Sequence, residues 1–140
     1  MVKNVTVTVI GEQTCSREEE RPEPVELVTR GKLHEKDGYF FLKYDEYFEE
    51  SDKPTVNLLK FNADGLDLTK KGLIDAAMSF RKDQTRKAVY TTPAGTMHIS
   101  ILTERYRLSI EEEGVSVMVA YVMDFGNDYQ TFNVLRLTAR

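Results

Sequence analysis

The sequence contains one cysteine, no tryptophan and no apolar run that approaches the length of a membrane span. Because Cys15 stands alone, an intrachain disulfide is excluded, and with no histidine beside it the thiol is expected to be unreactive in a reducing compartment. The first residues show neither the basic segment nor the apolar segment of a secretion signal. We therefore expect a cytoplasmic protein without membrane attachment.

Histidine is equally scarce, since His34 and His98 are the only two. Neither belongs to a metal-ligand spacing such as HxH or HExxH, and the chain has no CxxC, GxGxxG, phosphate-binding loop or GxSxG motif. The sequence therefore predicts no metal, no cofactor and no catalysis.

Excess positive charge is also missing, because the net charge is −4 over 140 residues, which argues against nucleic-acid binding. Basic residues do gather near Phe80 and Tyr90, a combination that open β-surfaces use to bind single strands. Their predicted position on turns makes solvated surface charge the favoured interpretation. These residues are Lys70, Lys71, Arg81, Lys82, Arg86 and Lys87.

What the sequence does have is alternation of apolar and polar residues, typical of half-buried strands, along nearly its whole length. Val115, Val117, Val119 and Tyr121 show it most clearly. The segment 74–80 could begin a helix because alanine and methionine favour one, but its period of two favours a strand. Asp-Gly and Pro-x-Gly pairs punctuate the strands as turn signals.

About ten strands at short spacing predict an all-β fold in a single domain over residues 1–140. Only the charged segment Ser16–Pro24 is long enough for a return connection, so an up-and-down order is favoured over a Greek key. Closure into an antiparallel barrel would remove the exposed edges. In the last strand the apolar face changes between Val134 and Leu135, which predicts either a β-bulge or burial on both sides.

Five residues with polar groups project to the inside of such a barrel and form the candidate ligand-binding set. A charged group inside a barrel must be paired, because an unpaired one costs several kcal/mol. A link between Glu46 and Arg86 is therefore one interpretation; Glu46 reaching water and Glu46 anchoring a ligand are the others. The candidate residues are Tyr44, Glu46, Arg86, Tyr90 and Tyr121.

Several segments resemble a known family. The stretches Gly31–Glu46, Lys71-Gly72, Met78-Ser-Phe80, Tyr90-Thr-Thr-Pro-Ala-Gly-Thr-Met97 and Leu108–Tyr121 are similar to the YwiB-like family of uncharacterised bacterial calycin proteins. The resemblance runs from Gly31 to Arg140. It implies a closed lipocalin-like barrel and supplies no activity, substrate or catalytic residue. Calycin barrels often hold small apolar ligands, although a fold alone is only an analogy for function.

Two functions follow as hypotheses. The first is a non-enzymatic protein that binds a small, largely apolar ligand in the barrel interior or its mouth. The alternative is a filled barrel that serves as a scaffold or protein-interaction module and forms a homodimer, with Val122, Leu135 and Leu137 contributing an exposed apolar patch. An enzyme is the least favoured class.

Overall fold

A computed structural model describes residues 2–16 and 23–140 of the chain, so most of the predicted charged loop Ser16–Pro24 lies outside the described residues. Ten strands account for most of these residues. They are β1 (Val2–Thr14), β2 (Val25–Lys36), β3 (Tyr39–Glu46), β4 (Thr55–Asn62), β5 (Gly65–Lys71), β6 (Asp75–Phe80), β7 (Thr85–Thr92), β8 (Gly95–Ile110), β9 (Val115–Gly126) and β10 (Tyr129–Ala139).

The strands form one closed antiparallel barrel in up-and-down order, as the sequence predicts. Each strand pairs with the next in the chain, and β1 closes the barrel on β10 with a register from Val7 opposite Ala139 to Thr14 opposite Phe132. The described residues include no helix long and apolar enough to cross a membrane.

The ambiguous segment 74–80 is strand β6, not a helix. Ala76, Met78 and Phe80 are buried and alternate with less buried neighbours. The reason is tertiary: these side chains complete the barrel interior, and that burial outweighs the helix preference of alanine and methionine.

The turn signals also fold as predicted. Asp37 and Gly38 have φ values of 54° and 82°, and Asn127 and Asp128 have values of 52° and 61°. Both positions of each two-residue loop are therefore left-handed, which matches the twist of the flanking strands and favours Asn, Asp and Gly.

In the last strand the correct alternative is burial on both sides. Leu137 is buried in the core, and Phe132 and Val134 on the opposite face are also partly buried. The register is continuous through Val134 and Leu135, and the bulges lie between Thr103 and Arg105 in β8 and between Tyr129 and Gln130 at the start of β10.

The apolar patch expected from Val122, Leu135 and Leu137 is wrong. Leu137 is 2% exposed and Val122 is 7% exposed, while Leu135 is half-buried. The alternation of β10 turns Leu137 toward the interior, so the described chain does not present these three side chains as an exposed surface.

The two ends of the barrel differ in chemistry. At the apolar end, where the even-numbered strands finish, Phe61, Leu66 and Phe80 are completely buried and fill the interior. Around the opposite end, the polar end, buried polar side chains lie within the first five residues of β4 and β10: Thr55, Asn57, Thr131 and Asn133.

Candidate functional site

One continuous row of paired residues crosses the interior at the polar end. The register places Tyr44 opposite Asn57, Asn57 opposite Lys70, Lys70 opposite Ala76, and Ala76 opposite Tyr90. Since side chains directly opposite each other share a face, this polar row projects four polar side chains into the barrel from β3, β4, β5 and β7.

An ion pair lies beside the polar row. Glu46 is the last residue of β3, and its Oε1 lies 3.0 Å from Nζ of Lys70. The two side chains are 23% and 16% exposed respectively, so the pair is largely withdrawn from water. A charge pair in this position holds its geometry because both partners are anchored on strands.

Asn57 connects the ion pair to the barrel wall and leaves one atom unused. Its Nδ2 lies 3.4 Å from Oε1 of Glu46 and 3.4 Å from the carbonyl oxygen of Thr55. Its Oδ1 is buried and has no hydrogen-bond partner. Buried carbonyl oxygens are almost always paired, so this atom is an acceptor open to a donor that the protein does not supply.

The tyrosines of the predicted set surround this polar group. Burial raises the pKa of both the Tyr44 and the Tyr90 phenols, and the nearby charge of Glu46 raises each further. Burial, followed by the neighbouring Tyr90, raises the pKa of Tyr121 to about 12. The three phenols therefore stay protonated at neutral pH and can donate as well as accept hydrogen bonds.

Tyr121 also joins the interior to the surface. Its ring packs edge-on against Phe80, with 4.8 Å between the centroids, so it lies on the apolar core. Tyr121 and Asn133 help to line an open depression of about 410 Å³. This volume falls within the roughly 300–1,000 Å³ that is typical of small-molecule sites.

The structure brings together four of the five predicted residues and separates the fifth. The carboxylate of Glu46 interacts electrostatically with the phenols of Tyr44 and Tyr90, and Tyr90 interacts with Tyr121. Arg86, in contrast, is exposed and donates to Oε1 of Gln84. The predicted link between Glu46 and Arg86 is therefore wrong. Arg86 has the inward phase, yet it lies at the start of β7, where the chain pairs with β8 rather than with β6.

Lys70, Asn57 and Thr103 are interior residues that the sequence reasoning missed. Lys70 continues the apolar alternation of Leu66 and Leu68, and that phase was the available signal. Thr103 is completely buried, and its Oγ1 has no partner. Its inward position continues the alternation of Ile99 and Ile101, and the bulge that follows it changes the phase of the later residues of β8.

The basic residues do not form one surface. Lys70 is part of the interior ion pair, whereas Arg81 follows the far end of β6 and lies 3.2 Å from Asp67. Lys70 and Arg81 therefore stand at opposite ends of β6.

Comparison with known proteins agrees with this architecture. A family model described as a domain of unknown function (DUF1934) matches residues 7–137. The chain belongs to the DUF1934 family. No curated protein matches it.

The crystal structure of the YwiB protein from Bacillus subtilis superposes with a TM-score of 0.84. It covers 99% of this chain and 92% of the YwiB chain, at 17% sequence identity. The resemblance to YwiB-like proteins is thus confirmed, and at this identity the superposition establishes the fold.

Proposed function

We propose that this DUF1934 barrel binds a small molecule at its polar end, in the manner of lipocalin-like proteins, and does not transform it. The observation that carries the proposal is the unpaired Oδ1 of Asn57, completely buried beside the ion pair of Glu46 and Lys70. A ligand donor at this atom would remove a desolvation cost of about 1–3 kcal/mol.

The side chains around Asn57 define the chemistry of the ligand. Glu46 and Asn57 Oδ1 accept hydrogen bonds, Lys70 donates, and the phenols of Tyr44 and Tyr90 do both. The expected ligand therefore has a polar group with at least one donor. The partly buried apolar side chains of Leu27, Met123 and Phe125 favour a largely apolar remainder.

Two features support binding without catalysis in the cytoplasm. Lys70 holds the carboxylate of Glu46 in an ion pair of 3.0 Å, so the protein already engages the one carboxylate of the site. Cys15 is an exposed free thiol, which suits a reducing compartment.

Native mass spectrometry of the protein purified from its own host tests the proposal. We expect a fraction of wild-type protein to carry a small molecule that denaturation releases. Glu46→Gln preserves the side-chain size but removes the charge that orients Lys70 and Asn57, so this variant should lose at least nine-tenths of the bound fraction.

The matched control is Glu111→Gln. Glu111 forms an ion pair of 2.8 Å with Arg140 at the apolar end, so its loss removes a more exposed ion pair away from the site. This variant should keep the wild-type bound fraction. A bare mass for the wild type, or equal loss in both variants, would refute the proposal.

The alternative remains a filled barrel that acts as a scaffold or interaction module and forms a homodimer. It is supported by the completely buried Leu42, Phe61 and Phe80, which fill the apolar end. Light scattering after size exclusion separates the two proposals, since a strict monomer with a retained ligand favours the binding protein.

A further inference from the structure

The outer face of β1–β5 carries a groove that is separate from the polar end. Two neighbouring rows of the register form it. One row contains Val2, His34, Phe41, Lys60 and Asp67, and the next contains Asn4, Lys32, Lys43, Leu58 and Thr69. The groove encloses about 510 Å³. We refer to it as the outer groove.

Its positive charge is uncompensated. Lys32 lies directly opposite Lys43, an arrangement in which like charges destabilise a sheet. Lys60 is exposed near them. Across residues 2–16 and 23–140, the ion pairs use Lys70, Arg81, Arg136 and Arg140, and none uses these three lysines.

The one carboxylate in the groove is already engaged. Asp67 stands opposite Lys60 in the register, but its Oδ2 lies 3.2 Å from Nη2 of Arg81. Within the described residues, the direct opposition of Lys32 and Lys43 therefore has no carboxylate that compensates it.

Between the lysines lies an apolar surface. Leu58 is 43% exposed and Val2 is 58% exposed, and together with the half-buried Phe41 they line the same groove. The rings of His34 and Phe41 lie 6.2 Å apart, and Nζ of Lys60 lies 4.3 Å above the ring of Tyr39. The aromatic rings thus hold one lysine at the groove edge by a cation–π contact.

We propose that the outer groove binds a small amphiphilic anion, with the anionic head between Lys32 and Lys43 and the apolar body over Phe41 and Leu58. Charge complementarity selects an anion, and the exposed apolar floor selects an apolar body. The groove volume matches a single small molecule. This site is independent of the function proposed for the polar end.

Calorimetric titration with dodecanoate, dodecyl phosphate and dodecyltrimethylammonium, each below its micelle concentration, tests this assignment. We expect both anions to bind and the cation to bind at least tenfold more weakly. Preference between the two anions then shows whether the head is a carboxylate or a phosphate. Equal binding of cation and anions would overturn the proposal, as would no binding of either anion.

Variants locate the bound anion. Lys32→Gln with Lys43→Gln should weaken binding at least tenfold, while Lys87→Gln, on the exposed face of β7, should leave it unchanged. The double variant should melt no lower than wild type because it removes a repulsion, so lost binding would not reflect unfolding. The assignment would be overturned if the double variant kept its affinity or if Glu46→Gln lost binding. A dimer that closes the groove would also overturn it.

Discussion

At the scale of single residues, the interior contains polar atoms that the fold leaves unpaired. Oδ1 of Asn57 and Oγ1 of Thr103 are both buried without hydrogen-bond partners. Thr55 provides a contrast, since its Oγ1 accepts the backbone N–H of Leu73 at 3.1 Å. Threonines with equal burial thus differ in whether the hydroxyl is satisfied.

This difference predicts opposite effects of one substitution. Thr103→Val removes an unpaired hydroxyl and should leave the free energy of unfolding unchanged or raise it by about 1 kcal/mol. Thr55→Val leaves the N–H of Leu73 without its partner and should lower the free energy of unfolding by about 1–2 kcal/mol. Urea denaturation of the ligand-free proteins measures both. Similar losses in the two variants would contradict the contacts described for Thr103.

The sequence predicted individual interior residues only where strand phase alone determines position. Tyr44, Glu46, Tyr90 and Tyr121 face inward as their alternation indicates. Arg86 has the same phase but lies at the start of β7, and long basic side chains at strand ends reach water. The partner of Glu46 was also not predictable, because the register between strands determines that Lys70, and not Arg86, lies beside it.

At the scale of elements, the polar row needs a small residue next to its first tyrosine. Gly31 pairs with Tyr44, and a Cβ at Gly31 would lie 2.7 Å from the carbonyl oxygen of Lys43 and 2.8 Å from Cγ2 of Val7. The backbone of β3 and a core valine therefore approach β2 at a distance that only glycine permits.

Gly31→Ala should destabilise the protein by about 1–3 kcal/mol, because the contacts involve backbone that cannot move aside. Gly11→Ala is the matched control in β1, since a Cβ there meets nothing within 4 Å. It should change the free energy of unfolding by less than about 0.5 kcal/mol. Chemical denaturation distinguishes them, and equal stability of the two variants would show that β2 and β3 pack less closely than described.

Strands and two-residue turns were predictable because their signals are local. The bulge between Thr103 and Arg105 was not, yet it decides which side chains of β8 face inward. Before it Ile101 is buried, and after it Tyr106 takes the inward phase and bonds to the carbonyl of Asn62 at 2.7 Å. In the sequence this change of phase appears only as two alternations of opposite parity, one through Ile99 and Ile101 and the other through Tyr106 and Leu108.

At the scale of the whole molecule, buried phenols couple stability to alkaline pH. Burial raises the pKa of Tyr44, Tyr90, Tyr106 and Tyr121 above the ordinary value of 10.0, to about 12 for Tyr121. The folded chain therefore keeps protons that the unfolded chain loses. Their contribution to stability is complete below pH 10 and is lost as pH rises through the folded pKa values.

The free energy of unfolding should consequently fall between pH 10 and about pH 12. The fall is up to ~1.4 kcal/mol per pH unit for each buried tyrosine whose pKa is raised. Urea denaturation at a series of pH values, with tyrosinate absorbance recorded in parallel, measures the slope. Tyr121→Phe should reduce that slope. A constant free energy across this interval would contradict the burial of these phenols.

The barrel as a whole has a filled apolar end and a polar end with unpaired groups, so its function depends on what occupies the polar end. The most direct measurement is a crystal structure of the protein purified from its own host. We predict electron density for a small molecule whose donor lies within hydrogen-bond distance of Oδ1 of Asn57, beside Glu46 and Lys70. Protein side chains that fill this space, or an Asn57 bonded only to the protein itself, would contradict the account.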